Sequence, residues 1–76
     1  MIIHVKTVGT IKTLEEGTRI KTLEVSQESS VAQIIKLLKI QDWEIGFVQI
    51  NGQRGSKESM LKDNDKLTLI APLVGG

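Results

Sequence analysis

One stretch of this sequence, "SSVAQIIKLLKI" at residues 29–40, spaces its aliphatic side chains at helical intervals, and it is flanked on both sides by runs that alternate as strands do. A chain with one helical segment and several extended ones has few ways to bury both kinds of apolar face. Ser30 can accept the N–H bonds left open at a helix start while Gln33 reaches back to it, a capping box. Val31, Ile34, Ile35 and Leu38 form the buried stripe, with Gln33, Lys36 and Lys39 directed away from its centre. Lys36 and Lys39 also suit the negative end of the helix dipole. The pattern predicts a helix from about Val31 to Lys39.

The extended runs supply the other layer. In "IIHVKTV" Ile3 and Val5 share one face, with His4 and Lys6 on the other; the alternation slips at Val8, and Gly9 suits a bend. "RIKTLEV" reads as a second strand, with Leu23 and Val25 opposite Thr22 and Glu24, joined to the first through a turn at Glu15, Glu16, Gly17 and Thr18. The echo of "IKTLEEG" in "IKTLEVS" fits two similar strand segments and is far short of a solenoid repeat. After the connection "QDWEIG" comes a third strand, "FVQIN", closed by an Asn51-Gly52 hairpin turn and a short strand at Gln53 and Arg54. Met60 and Leu61 are expected to anchor the polar crossing "SKESMLKDNDK", and Asp63, Asn64 and Asp65 form a turn before "KLTLI", with Leu67 and Leu69 on one side. The expected architecture is α+β, a mixed four- or five-stranded sheet packed against one main helix.

Composition narrows the function classes. Among 76 residues there is no cysteine, which excludes disulfides, thiolate metal sites and a cysteine nucleophile. Phe47 and Trp43 are the only aromatic residues, so a deep aromatic-lined ligand pocket is not expected. The formal net charge of +1, without a basic run, gives no nucleic-acid or membrane footprint. With neither a signal-peptide pattern nor an apolar stretch of ~20 residues, a cytoplasmic protein is expected, with proteins as partners.

The chain reads out in "DKLTLIAPLVGG". Pro72 lacks an amide donor and biases Ala71 away from helix, so a β-sheet domain over 1–71 is expected to give way to a flexible Gly-Gly tail over 72–76. At ~3.3 Å per extended residue the four residues after Pro72 reach ~13 Å, enough to enter another protein's active-site channel. Gly75 and Gly76 have no Cβ, so such a channel can close around bare backbone, while Leu73 and Val74 can fill apolar pockets nearer the body.

Three segments, "QINGQ" at 49–53, "LKDNDKLTLIAP" at 61–72 and "PLVGG" at 72–76, stand in an order that resembles the β-grasp sulfur-carrier proteins, which include the molybdopterin-synthase small subunit and the thiamine-biosynthesis sulfur carrier. The resemblance covers roughly the C-terminal half and implies the ubiquitin-like β-grasp fold. It implies that an E1-like adenylyltransferase uses ATP and a sulfur donor to convert the Gly76 carboxylate to a thiocarboxylate. Gly75, Val74, Leu73 and Pro72 would then be the recognised tail. The acceptor would be a molybdopterin-synthase large subunit or a thiazole synthase, and the chain a cosubstrate rather than an enzyme, with no cofactor or metal of its own. Asn64 stands where the family usually has glycine, and Ala71-Pro72 where many molybdopterin relatives have two prolines. The alternative function is a ubiquitin-like protein modifier or a non-covalent binding module docking through Leu73, Val74 and an apolar sheet patch.

Other residues invite blander readings. His4 has no companion at metal-ligand spacing and reads as a surface histidine. Asp63 and Asp65 lack the rest of a calcium loop and read as turn residues. Glu15 and Glu16 read as an acidic turn rather than an acid/base pair. Arg54 and Lys57 could line a docking face, although a solvated edge fits them better.

Overall fold

The computed structural model describes residues 1–9 and 20–72. Strands β1 (Ile2–Val8) and β2 (Ile20–Glu24) precede helix α1 (Val31–Leu37); a 3₁₀ turn (Asp42–Glu44), β3 (Phe47–Ile50), β4 (Gln53–Gly55) and β5 (Lys66–Ile70) follow. The five strands lie in the order β2-β1-β5-β3-β4. β1 and β2 pair antiparallel, as do β3 with both β4 and β5, whereas β1 and β5 run parallel at the centre. This is the β-grasp arrangement, a mixed sheet with one main helix on one face.

Alternation assigns the faces. Ile3 and Val5 of β1, Val48 of β3 and Leu67 and Leu69 of β5 are buried, and they pack with Val31, Ile34 and Ile35 of α1, Ile40, Ile45 and Leu61 into one aliphatic core. Each fully buried Leu or Ile of this kind contributes ~1.5–3 kcal/mol by leaving water. The central position of β5 explains why both its inward leucines are completely buried. The turn between β1 and β2, including Glu15, Glu16 and Gly17, lies outside the described residues, as does the first copy of the "IKTLE" echo.

The helix begins as its sequence requires. Ser30 Oγ accepts from the Gln33 N–H at 3.3 Å, and Gln33 Oε1 accepts from the Ser30 N–H at 2.7 Å. Two further open donors of the first turn, the N–H groups of Val31 and Ala32, donate to the carbonyls of Ser59 and Lys57. The crossing segment is therefore tied to the helix start.

Two expectations need correction. The helix ends at Leu37, not Lys39, because Leu38 caps it and Lys39 takes a φ of 61°, which no helix continues. Met60 does not anchor the crossing: it is 55 % exposed while Leu61 is buried, since the Ser30–Met60 bridge forces successive side chains to opposite sides. The connection "QDWEIG" contains an ordered 3₁₀ turn, in which a buried Glu44 carboxylate accepts from the Gln41 N–H at 3.2 Å.

Candidate functional site

Everything proposed for the tail depends on how the chain leaves β5. That strand lies between β1 and β3, and its pairing runs to its last residue on the β3 side and one residue beyond on the β1 side. Gly46 N–H donates to the Ile70 carbonyl at 2.7 Å, and Ala71 N–H donates to the Val8 carbonyl at 2.9 Å. Pro72 has no N–H to extend the pairing further, and it is exposed. Pro72 thus marks the surface point from which the last four residues start. Leu73, Val74, Gly75 and Gly76, and with them the expectation of a flexible tail, lie outside the described residues.

Beside this exit the outer face of the sheet carries an apolar row. Val8 pairs with Ile70, and Ile70 with Phe47, so three strands place these side chains in line across the sheet. Val8 is 44 % exposed, and Phe47 and Ile70 are half-buried. Arg54 of the edge strand lies over the Phe47 ring, its guanidinium carbon 4.9 Å from the centroid, so the row ends in a fixed positive charge. The sequence suggested an apolar sheet patch without its members; the missing information was the register that aligns residues from the first, third and last strands. Arg54 and Lys57 do not act as a pair: Lys57 Nζ bonds Asp42 Oδ1 at 2.7 Å and the Asp42 carbonyl at 3.2 Å.

The remaining polar residues are accounted for locally. Asp63 Oδ1 accepts from the Ile2 N–H at 2.6 Å, and Asp65 Oδ2 accepts from the Lys62 N–H at 2.7 Å. Asn51 ties the two turns together, donating from Nδ2 to Asp65 Oδ1 and accepting from the Lys66 N–H, each at 2.9 Å. These carboxylates hold turns, as their spacing suggested. His4 Nδ1 lies 3.4 Å from Thr22 Oγ1 across the β1–β2 pair. Among the described residues no group of three His, Asp or Glu side chains is placed to hold a metal ion, and no helix is long and apolar enough to cross a membrane. A surface groove of about 590 Å³ runs between α1 and the end of β2 past Met1, Val25, Ser29, Gln33 and Leu37. No aromatic residue lines it and it does not include the tail exit.

The model of the ThiS family matches residues 5–76. Among solved structures the fold is similar to that of H. volcanii small archaeal modifier protein 1, at 17 % identity over 95 % of this chain and 98 % of that one, with a TM-score of 0.74. It is also similar to Urm1 from Trypanosoma brucei, at 18 % identity over 99 % and 95 %, with a TM-score of 0.72. A chain of the complex of subunits 1 and 2 of the molybdopterin-converting factor from Helicobacter pylori matches at 18 % identity over the full length of both, with a TM-score of 0.66. No curated protein matches the sequence.

Proposed function

The chain belongs to the ThiS family of β-grasp sulfur carriers, which are protein cosubstrates rather than enzymes, and from that premise we propose that Gly76 is the residue that carries the sulfur. One observation carries the reading: the central strand delivers the chain to an exposed Pro72, held from both sides until that point, with four residues and a Gly-Gly end beyond it.

The chemistry follows from what a carboxylate lacks. It is a poor electrophile until one of its oxygens attacks the α-phosphorus of ATP, which expels pyrophosphate and leaves an acyl adenylate. Sulfur from a donor at the sulfide level then attacks the carbonyl carbon, AMP departs, and a thiocarboxylate remains. Both steps belong to an E1-like adenylyltransferase, so this chain needs no cofactor of its own. Holding the sulfur on a recognisable protein raises its effective concentration at the acceptor and limits loss of free sulfide. The acceptor enzyme is a molybdopterin-synthase large subunit or a thiazole synthase, and the proposed setting of the exchange is the cytoplasm. That a chain similar in fold is found in the complex of subunits 1 and 2 of the Helicobacter pylori molybdopterin-converting factor supports a partner subunit for this one.

In this reading Pro72 sets the exit, Leu73 and Val74 fix depth in the partner's channel, and Gly75 passes where no side chain fits. The Val8–Ile70–Phe47 row is the body's share of the contact. The test is incubation with the cognate adenylyltransferase, ATP and a sulfur donor, followed by intact-mass measurement. Oxygen-to-sulfur exchange adds about 16 Da, localised to the last residue by fragmentation. Failure to form either an adenylate or a thiocarboxylate with the cognate adenylyltransferase would refute the assignment. The likeness to an archaeal modifier favours one other reading, in which the same adenylate is captured by a lysine amine. A protein conjugate joined through Gly76 by an isopeptide bond would identify that outcome.

A further inference from the structure

Gly46, immediately before β3, is not a glycine required by its backbone. Positive φ occurs at Gly9 and Gly52 but not at Gly46, so an L-residue could adopt its conformation. Space is what excludes one. A Cβ at Gly46 would lie 2.8 Å from Pro72 Cα and 3.0 Å from Pro72 N, closer than a carbon can stand. Both contacts are backbone atoms, which cannot swing aside as a side-chain tip can. On the opposite side of the same strand, Gly9 has a φ of 85° and a Cβ there would lie 3.0 Å from Ala71 Cβ. Gly52 shows the contrast: it has positive φ and nothing within 4 Å of its missing Cβ, so its role is conformational.

Residues 70–72 therefore leave the sheet through a slot with a bare glycine at each wall, stitched by one hydrogen bond to each side. We infer that Gly46 is a positioning residue for derivatisation of the tail: by admitting the Pro72 backbone against the start of β3, it sets the point on the body from which the last four residues must reach a partner. The inference rests on the sulfur-carrier reading. Its leverage is the short reach: with only ~13 Å available beyond Pro72, any displacement of that root is taken directly from what can enter a partner's channel. Misplacement by about 1 Å, even from a change far from the reacting atoms, can cost a factor of about 100 in rate.

The test compares Gly46→Ala with Gly55→Ala. At Gly55 the added Cβ meets the Ile50 Cδ1 at 3.0 Å, the end of a side chain that can move, so this variant controls for adding a methyl group to a sheet glycine away from the exit, and unfolding midpoints of both variants account for any difference in stability. With the cognate adenylyltransferase, pyrophosphate release gives kcat and KM. For Gly46→Ala, kcat falls by about 10- to 100-fold while KM stays within about twofold, because the outer apolar row that docks the body is untouched. Gly55→Ala keeps both constants within about twofold of wild type. A folded Gly46→Ala protein with wild-type kcat, or an equal loss in Gly55→Ala, overturns the inference. Relaxation of the backbone amides in the wild-type protein needs no variant: order parameters of ~0.85 at Gly46 and Ala71 are expected, and values below ~0.6 overturn it. Wild-type protein that forms no adenylate removes the carrier reading and this inference together, whereas reaction of wild type and Gly46→Ala alike removes this inference alone.

Discussion

Asn64 occupies a φ of 69° at the centre of the turn before β5, and its N–H donates to the Ile2 carbonyl at 2.7 Å. An L-residue in this region crowds its Cβ against the following carbonyl, a cost that asparagine reduces and glycine avoids. Asn64→Ala is therefore expected to lower stability by about 1 kcal/mol and Asn64→Gly to leave it unchanged or raise it by about 0.5 kcal/mol, read from urea unfolding midpoints. Equal midpoints for the two variants would mean the backbone conformation carries no such cost. This departure from the family's glycine was intelligible from sequence because asparagine tolerates positive φ. The Asn51-Gly52 turn was legible for the same reason, with φ values of 54° and 83°. Glu28 and Lys39 also have positive φ, yet nothing in the identity of a glutamate or lysine announces it. Gly46 was visible only as a residue preceding a strand; its tight contact is with Pro72, and sequence gives no measure of that separation.

At the scale of elements, the two ends of α1 differ in how local their signals are. The start is written in residues three apart, Ser30 and Gln33, and the bonds form as their spacing requires. The end is a Schellman motif: Ile40 N–H donates to the Ile35 carbonyl at 3.1 Å and Lys39 N–H to the Lys36 carbonyl at 3.0 Å, while Ile35 and Ile40 are both buried. Helical periodicity continues through Leu38, so the expected boundary ran on to Lys39. What stops the helix is the burial of Ile40, a tertiary demand that turns the chain through the left-handed region at Lys39. Glycine suits that position better than any L-residue, so Lys39→Gly should raise stability by about 0.5–1 kcal/mol. Thermal unfolding checks this, with Lys39→Ala as the comparison that removes the charge but keeps the Cβ. A gain from alanine as large as that from glycine would point to charge instead. The buried Glu44 and the exposed Met60 escaped the sequence reading similarly, since each follows from a neighbour brought in by the fold.

At the scale of the whole molecule, the element order was legible, but the order of strands in the sheet was not, because the pairing that defines it joins β1 to β5 across most of the chain. That pairing makes one strand do two things. Its inward residues Leu67 and Leu69 are fully buried at the centre of the core, and its end is the slot from which the tail departs. Leu67→Ala should cost ~2–5 kcal/mol, a large fraction of the roughly 4–11 kcal/mol expected for a domain this size. The consequence for function is specific. With the core weakened, adenylation should decline along the unfolding curve as temperature rises and recover on cooling, because what fails is the population of folded molecules presenting the tail. Gly76→Ala should behave in the opposite way, leaving the unfolding curve in place while the reaction is lost at every temperature, since under the proposed function a methyl group would stand where the partner's channel is to admit bare backbone. Measuring unfolding and adenylation side by side for both variants separates body from tail. If Leu67→Ala reacted normally above its unfolding midpoint, the partner would be reading the last residues as an isolated peptide, and the β-grasp body would have no part in presenting them.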